Sequence, residues 1–169
     1  MNYWGVADTH LGHNLLHTEE YGGRPIGFEE TTLSKITKTV MPNDVLIHFG
    51  DVAFYKDEYW NLRLRESCKG KMWLVRGNHD KKSSSWYLEH GWDFVGDEIL
   101  LNIFGKRVLM THRPAIDGDY DLNIHGHLHN NINARHTGGG TLKHHLIFME
   151  HLYAPISLRS IIEKKGRKL

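Results

Sequence analysis

Three observations in the sequence predict an α/β protein. Apolar runs of four or five residues alternate with stretches of helical spacing. Five of those runs end in Asp, His or Asn, usually with Gly alongside to permit an abrupt turn. The 169 residues, 40% of them apolar, suffice for one substantial core, so the chain reads as a single domain, residues 1–169.

Tyr3–Ala7 is the first run of strand length and leads into Asp8-Thr9-His10. Residues 11–28 (LGHNLLHTEEYGGRPIGF) are too many for an ordinary connection, which predicts an active-site loop. Phe28–Met41 opens on Glu29-Glu30 and sets Leu33, Ile36 and Val40 near helical spacing, with Pro42 limiting its extension. Val45–Phe49 runs into Gly50-Asp51. A helix over Asp57–Ser67 follows, with Cys68 packing at its end. Met72–Val75 runs into Arg76-Gly77-Asn78-His79-Asp80. A helix over Ser83–His90 takes its cap from the serines at 83–85 and its stop from Gly91. Phe94–Ile103 reads as a strand that turns at Gly105-Lys106 into Arg107–Met110, which precedes Thr111-His112-Arg113-Pro114. Leu122–His125 runs into Gly126-His127-Leu128-His129. Residues 132–145 read as a hairpin tip with His136, His144 and His145 at the surface. Leu146–Met149 is strand-like, and Leu152–Ile162 supplies a last packed element.

Charge balance narrows the function. The 21 Lys and Arg against 20 Asp and Glu argue against a protein built to coat nucleic acid or an anionic membrane. No apolar run approaches the length of a membrane span. A lone cysteine excludes an internal disulfide, and the start MNYWGVADTH shows no signal-peptide pattern, so a cytoplasmic location is expected. Fourteen histidines are the oddity, since imidazole is the commonest metal ligand.

Strands of α/β sheets carry functional groups just beyond their carboxyl ends. Five such strands lying side by side would bring five clusters to one rim. Residues i and i+2 of an extended segment share a side, so Asp8 and His10 can grip one ion, as can His127 and His129 a pair of adjacent ions. Asp8, His10, Asp51, Asn78, His112, His127 and His129 make seven candidate ligands, too many for one tetrahedral ion. Two divalent ions sharing a bridging carboxylate fit the count, at the ~3.5–4 Å spacing of two-metal hydrolase sites. Mixed oxygen and nitrogen donors favour Mn²⁺, with Fe²⁺, Zn²⁺ or Ni²⁺ also suitable, over Ca²⁺ or Mg²⁺. His48 and His125 precede their turns and read as packed residues.

In order along the chain, D-x-H, G-D, G-N-H-D, a lone His after a strand, and G-H-x-H resemble the calcineurin-like metallophosphoesterases, in particular their small single-domain bacterial and phage-type members. The resemblance runs from Asp8 to His129. It implies a β-sandwich of mixed sheets flanked by helices, with the metals at strand carboxyl ends. It also implies roles: Asp8, His10 and His129 on one metal, Asn78, His112 and His127 on the other, and Asp51 between. His79 would face the substrate, stabilising the transition state and protonating the leaving oxygen, with Asp80 orienting it. DTH-x-GHN followed by GRP resembles a subgroup in which His13 and Asn14 lie near the metals and Arg24 meets a phosphate oxygen. Arg113, beside a candidate ligand, is placed for the same contact, whereas Arg76 reads as structural.

The implied activity is hydrolysis of a phosphodiester or phosphomonoester by metal-activated hydroxide. A small molecule or nucleotide, cyclic nucleotides included, is the expected substrate, since no cap domain or extended basic groove is evident. A nuclease of the same superfamily and a non-catalytic binding module on the same fold are the alternatives.

Overall fold

The strand ends are gathered by two sheets. The computed structural model describes residues 1–129, 143–150 and 152–166. In the first sheet, β1 (Tyr3–Val6), β2 (Val45–His48), β3 (Lys71–Val75) and β4 (Phe94–Gly96) run parallel, in the order β4-β3-β2-β1. The short β9 (Ile156–Ser157) closes the β1 edge antiparallel. The second sheet holds β5 (Glu98–Ile103), β6 (Lys106–Thr111), β7 (Leu122–His125) and β8 (His144–Leu146) in that order. There β5 pairs antiparallel with β6, and β6, β7 and β8 are parallel.

Alternation of side chains explains why the five strands do not share one sheet. On β2 and β3, Leu46, Met72 and Leu74 point toward Leu33, Ile36 and Leu64 on the covering helices. The intervening Val45, Ile47 and Val75 meet Val108, Met110, Leu122 and Ile124 of the second sheet. Strands apolar on both faces require a cover on each side, and here the second sheet supplies one of them. The run Phe94–Ile103 is accordingly two strands. It breaks at Asp97, which receives the Arg76 guanidinium at 2.7 Å, and the chain crosses between sheets at that point. Arg76 is thus engaged with Asp97.

The helices α1 (Phe28–Thr39), α2 (Asp57–Ser67) and α3 (Ser84–Glu89) fall between strands of the first sheet, and α4 (Leu158–Gly166) ends the described chain. Ser83 caps α3, its Oγ accepting from the Trp86 amide at 3.2 Å. The first helix stops two residues short of Met41. Pro42 disfavours helical dihedrals at the residue before it, and Val40 is already extended. Cys68 is buried at the end of α2. Residues 11–28 form two short 3₁₀ turns, Asn14–His17 and Glu19–Tyr21, with Leu16 buried beneath them. His144, expected at the surface, is buried on β8 beside His125 and Tyr120. Most of the expected hairpin tip at 132–145, His136 included, lies outside the described residues. Among the described residues no helix is long and apolar enough to cross a membrane.

Candidate metal centre

The parallel strands β1 and β2 extend their pairing past their formal ends. The Asp8 amide donates to Gly50 O and the His10 amide to Asp51 O, both at 3.0 Å. The second sheet is tied in when the His127 amide donates to Asp8 Oδ2 at 2.8 Å. Asp8, His10, Asp51, His127 and His129 all adopt left-handed backbone, with φ between 45° and 69°. Asp, Asn and His tolerate that region better than most residues, yet each instance still costs about 1–3 kcal/mol. Five together consume a sizeable share of the roughly 5–15 kcal/mol by which a domain is stable. Among the described residues, five of the nine non-glycine positions with left-handed backbone thus carry side chains that converge.

Two glycines allow the approach. A Cβ on Gly50, whose φ is +91°, would stand 2.5 Å from His112 Nδ1; one on Gly77 would stand 2.1 Å from Asp51 Oδ1. Gly77→Ala is therefore expected to cost about 1–3 kcal/mol by overpacking and to displace Asp51. Chemical denaturation with and without added Mn²⁺ checks this, and a variant matching wild type in both would show that the loop yields freely.

The side chains form two groups. Asp8, His10 and His129 bring one donor atom each within 4.8 Å of one another, and Asp51, His112 and His127 do the same. Asp51 Oδ2 is 3.8 Å from His10 Nε2 and 3.5 Å from His112 Nε2, so it faces both groups. Its Oδ1 accepts from the His79 amide at 2.8 Å. His112 Nδ1 donates to Phe49 O at 2.7 Å, which leaves the Nε2 lone pair directed inward. That lone pair meets Asn78 Oδ1 at 3.0 Å and Asp51 Oδ2 at 3.5 Å, with His127 Nδ1 at 3.1 Å beside it. Acceptor oxygens facing an acceptor nitrogen are what a cation organises. Asp8 Oδ1 is also buried without a hydrogen-bond partner, a costly omission unless a positive charge satisfies it. The donors therefore fit divalent ions.

Electrostatics point the same way. Burial pushes the Asp8 carboxyl up to about 8, with His129 pulling against it and Asp51 adding to it. Burial also drives His10 down to about 2 and His127 down to about 4, in each case helped by a neighbouring histidine. Such imidazoles are neutral and keep a lone pair to offer.

Three further groups hold these loops. Thr9 Oγ1 donates to Val52 O at 2.7 Å, so His48 must donate its Nε2–H to that hydroxyl at 2.8 Å. His48 Nδ1 is then free to accept from the Gly50 amide at 3.1 Å, which fixes its tautomer and makes it a brace between the two loops. Asp80 is placed differently from the expectation. Its oxygens accept from the amides of Asp51, Val52 and Gly77 at 2.7–3.1 Å, and no hydrogen bond joins it to the His79 ring. A carboxylate held by three backbone N–H groups acts as a clamp between loops, and here it is not paired with the imidazole.

Arg24 also departs from the expectation. It is 2% exposed, and its guanidinium donates to Asp8 O, Thr9 O and Glu150 Oε1 at 2.7–2.8 Å, so although it borders the cavity its donors are committed to the protein. Glu150 was not legible in the sequence. It stands alone in a loop, with Arg24 126 residues away and His129 21 residues away, and only the folded chain brings the three together. Burial works against the Glu150 charge, but the His129 hydrogen bond and the Arg24 charge outweigh it and hold the carboxyl at about 2.

A cavity of about 350 Å³ opens over the two groups. His79 is exposed at its edge, its ring 5.6 Å from His10 and 5.1 Å from Phe54. His13 lines the cavity, stacked on Phe54 at 4.1 Å, while Leu16 and Tyr21 form the wall supplied by residues 11–28. Asn14 is exposed and not among the lining residues, contrary to expectation, because the first 3₁₀ turn directs it outward. Arg113 is exposed and donates to Asn78 Oδ1 at 3.3 Å. His125 is buried beneath, its Nδ1 turned to Gly126 O, and belongs to neither group.

Comparison with known proteins gives the fold and little beyond it. No family model matches the chain. An uncharacterized protein of Methanocaldococcus jannaschii is 27% identical over 137 residues, which cover 75% of this chain and 68% of that one. The crystal structure of a protein of unknown function from Aquifex aeolicus superposes with a TM-score of 0.79 at 28% identity, covering 96% of this chain and 98% of that one. A novel archaeal phosphodiesterase shares the fold more distantly, with a TM-score of 0.52 at 19% identity over 78% and 76% of the two chains. This chain is thus a mixed α/β protein with two candidate metal-binding groups, distantly similar in fold to a phosphodiesterase.

Proposed function

We propose that the chain is a phosphoric ester hydrolase that works with two divalent cations, Mn²⁺ foremost, on a small phosphodiester or phosphomonoester. One observation carries this reading: a single carboxylate oxygen, Asp51 Oδ2, lies between two donor groups at the floor of an open cavity. In the proposed arrangement Asp8, His10 and His129 hold one cation, Asn78, His112 and His127 the other, and Asp51 both. Bound there, a cation pair supplies Lewis acidity, which activates water and neutralises phosphate charge.

The protein's own groups do the rest. His79, at the cavity edge with its backbone tied to Asp51, is placed to donate to the leaving oxygen. Arg113, exposed beside Asn78, is placed to meet a non-bridging phosphate oxygen through its guanidinium fork. His13 and Phe54 offer a stacked aromatic wall to the remainder of the substrate. At about 350 Å³ the cavity lies near the lower end of small-molecule sites, which favours a compact ester over a polymer. The archaeal phosphodiesterase that shares the fold adds support by analogy only.

Release of p-nitrophenolate from bis-p-nitrophenyl phosphate and p-nitrophenyl phosphate tests the reading. Turnover is expected with Mn²⁺, lost on chelation and restored by excess metal. No turnover of either ester with Mn²⁺, Fe²⁺, Zn²⁺ or Ni²⁺ would remove the hydrolase. Steeply salt-dependent binding of DNA would move the substrate to nucleic acid.

A further inference from the structure

We infer that Arg24 and Glu150 are a pair of positioning residues serving one half of the centre alone. The inference rests on the reading that Asp8, His10 and His129 hold a cation. Both side chains are nearly sealed from solvent, 1% and 8% exposed. Apart from the Met149 amide on Glu150 Oε2 and the Phe28 ring beside the guanidinium, their side-chain contacts among the described residues run to that half. Glu150 Oε1 accepts from Arg24 Nη2 at 2.7 Å and from His129 Nδ1 at 2.8 Å. With Nδ1–H committed to Glu150, the His129 ring has only Nε2 to turn toward Asp8 and His10, and it stacks on His10 with planes 4° apart. Arg24 completes the clamp from the other side. Its Nη1 donates to Thr9 O and its Nη2 to Asp8 O, both at 2.8 Å, so the strained turn that carries Asp8 and His10 has its carbonyls satisfied by one guanidinium.

The second half is held by other means. His112 is fixed by Phe49 O, Asp51 by the His79 amide, and the loop of Asp51 by Asp80. Among the described residues no hydrogen bond or ion pair joins Arg24 or Glu150 to Asp51, Asn78, His112 or His127. The halves touch through Asp51 and through the His127 amide on Asp8, so altering the pair bears first on the half it contacts directly. A carboxylate partner on a ligating imidazole fixes its tautomer and raises its basicity, and losing one typically lowers metal affinity by about 10–100-fold.

Glu150→Ala would strand a buried guanidinium and put folding at risk, so the informative variant is the near-isosteric Glu150→Gln. The full chain, freed of metal by chelation, is titrated with Mn²⁺ by calorimetry, with bound metal counted by elemental analysis. Wild type is expected to take two ions. In Glu150→Gln one affinity should fall about 10–100-fold while the other stays within about twofold. Equal weakening of both, or no change in either, overturns the assignment. A second readout needs no metal. In ¹⁵N-edited spectra of the metal-free chain at alkaline pH, His129 should carry its proton on Nδ1 in wild type and mix tautomers in Glu150→Gln. If wild type binds no divalent ion, the cation reading falls and this spectrum decides the positioning role. A changed tautomer upholds it, and an identical one overturns it.

Discussion

Asp51→Asn is expected to weaken both cations together and to abolish turnover in the proposed reaction. The carboxylate oxygen Oδ2 faces His10 Nε2 at 3.8 Å and His112 Nε2 at 3.5 Å, and Oδ1 is taken by the His79 amide. An asparagine has one oxygen for these duties. With its NH₂ toward the two groups it presents a donor where cations are to sit; turned around, it sets that NH₂ against the His79 N–H. Either way one negative charge is lost from the centre. Metal-assisted catalysis contributes several kcal/mol, so turnover should fall roughly a thousandfold or more at 1.36 kcal/mol per decade.

A thermodynamic readout separates this from simple misfolding. Asp51 is one of the charges that push the Asp8 carboxyl up to about 8, so above that pH, where Asp8 is ionised, removing it relieves repulsion in the metal-free chain. There the metal-free variant should melt no lower than wild type. Wild type at a hundredfold excess of Mn²⁺ over Kd gains about 2.7 kcal/mol per site, and the variant at that concentration should lose most of it at both sites. An effect confined to one ion would take the bridging role away from Asp51.

What could be read in the sequence, and what could not, follows from the range of the interactions concerned. The strand ends were legible because an apolar run and the polar turn after it are neighbours along the chain. Asp8, His10, Asp51, Asn78, His112, His127 and His129 all stand within a few residues of such an end, and the fold brings them together. The division of the strands between two sheets was not visible in their own composition, since a strand buried on both faces reads the same whichever layer covers it. At the crossing Asp97 pairs with Arg76, a contact that leaves no local pattern. Asp80 and Arg24 carry local signals that point to partners other than those the fold gives them. A carboxylate beside a histidine suggests a side-chain pair, yet Asp80 accepts from backbone amides of two loops and not from the His79 ring. An arginine in a glycine-rich loop suggests a phosphate, yet Arg24 turns inward to carbonyls and to Glu150, which carried no signal of its own.

The same distinction between side chain and backbone makes His79→Ala the sharper test of the chemistry. The tie between this residue and the centre is its amide, which donates to Asp51 Oδ1 and survives the substitution. Its ring is exposed and belongs to neither donor group. Both ions should therefore bind with wild-type affinity while turnover falls about 10²–10⁴-fold, the range for losing a general acid or a transition-state donor. Those two roles part on the leaving group. A p-nitrophenolate departs without a proton, so an imidazole that acts only by stabilising charge on phosphorus would be missed equally by aryl and alkyl esters. An imidazole that protonates the leaving oxygen would be missed far more by a methyl or ribose ester, whose alkoxide cannot leave unaided. The expected result is the second, with the loss at least tenfold larger for alkyl than for nitrophenyl substrates, about 1.4 kcal/mol in the barrier. Equal losses would reduce His79 to an electrostatic partner, and loss of an ion would make it a ligand and require the donor groups to be redrawn.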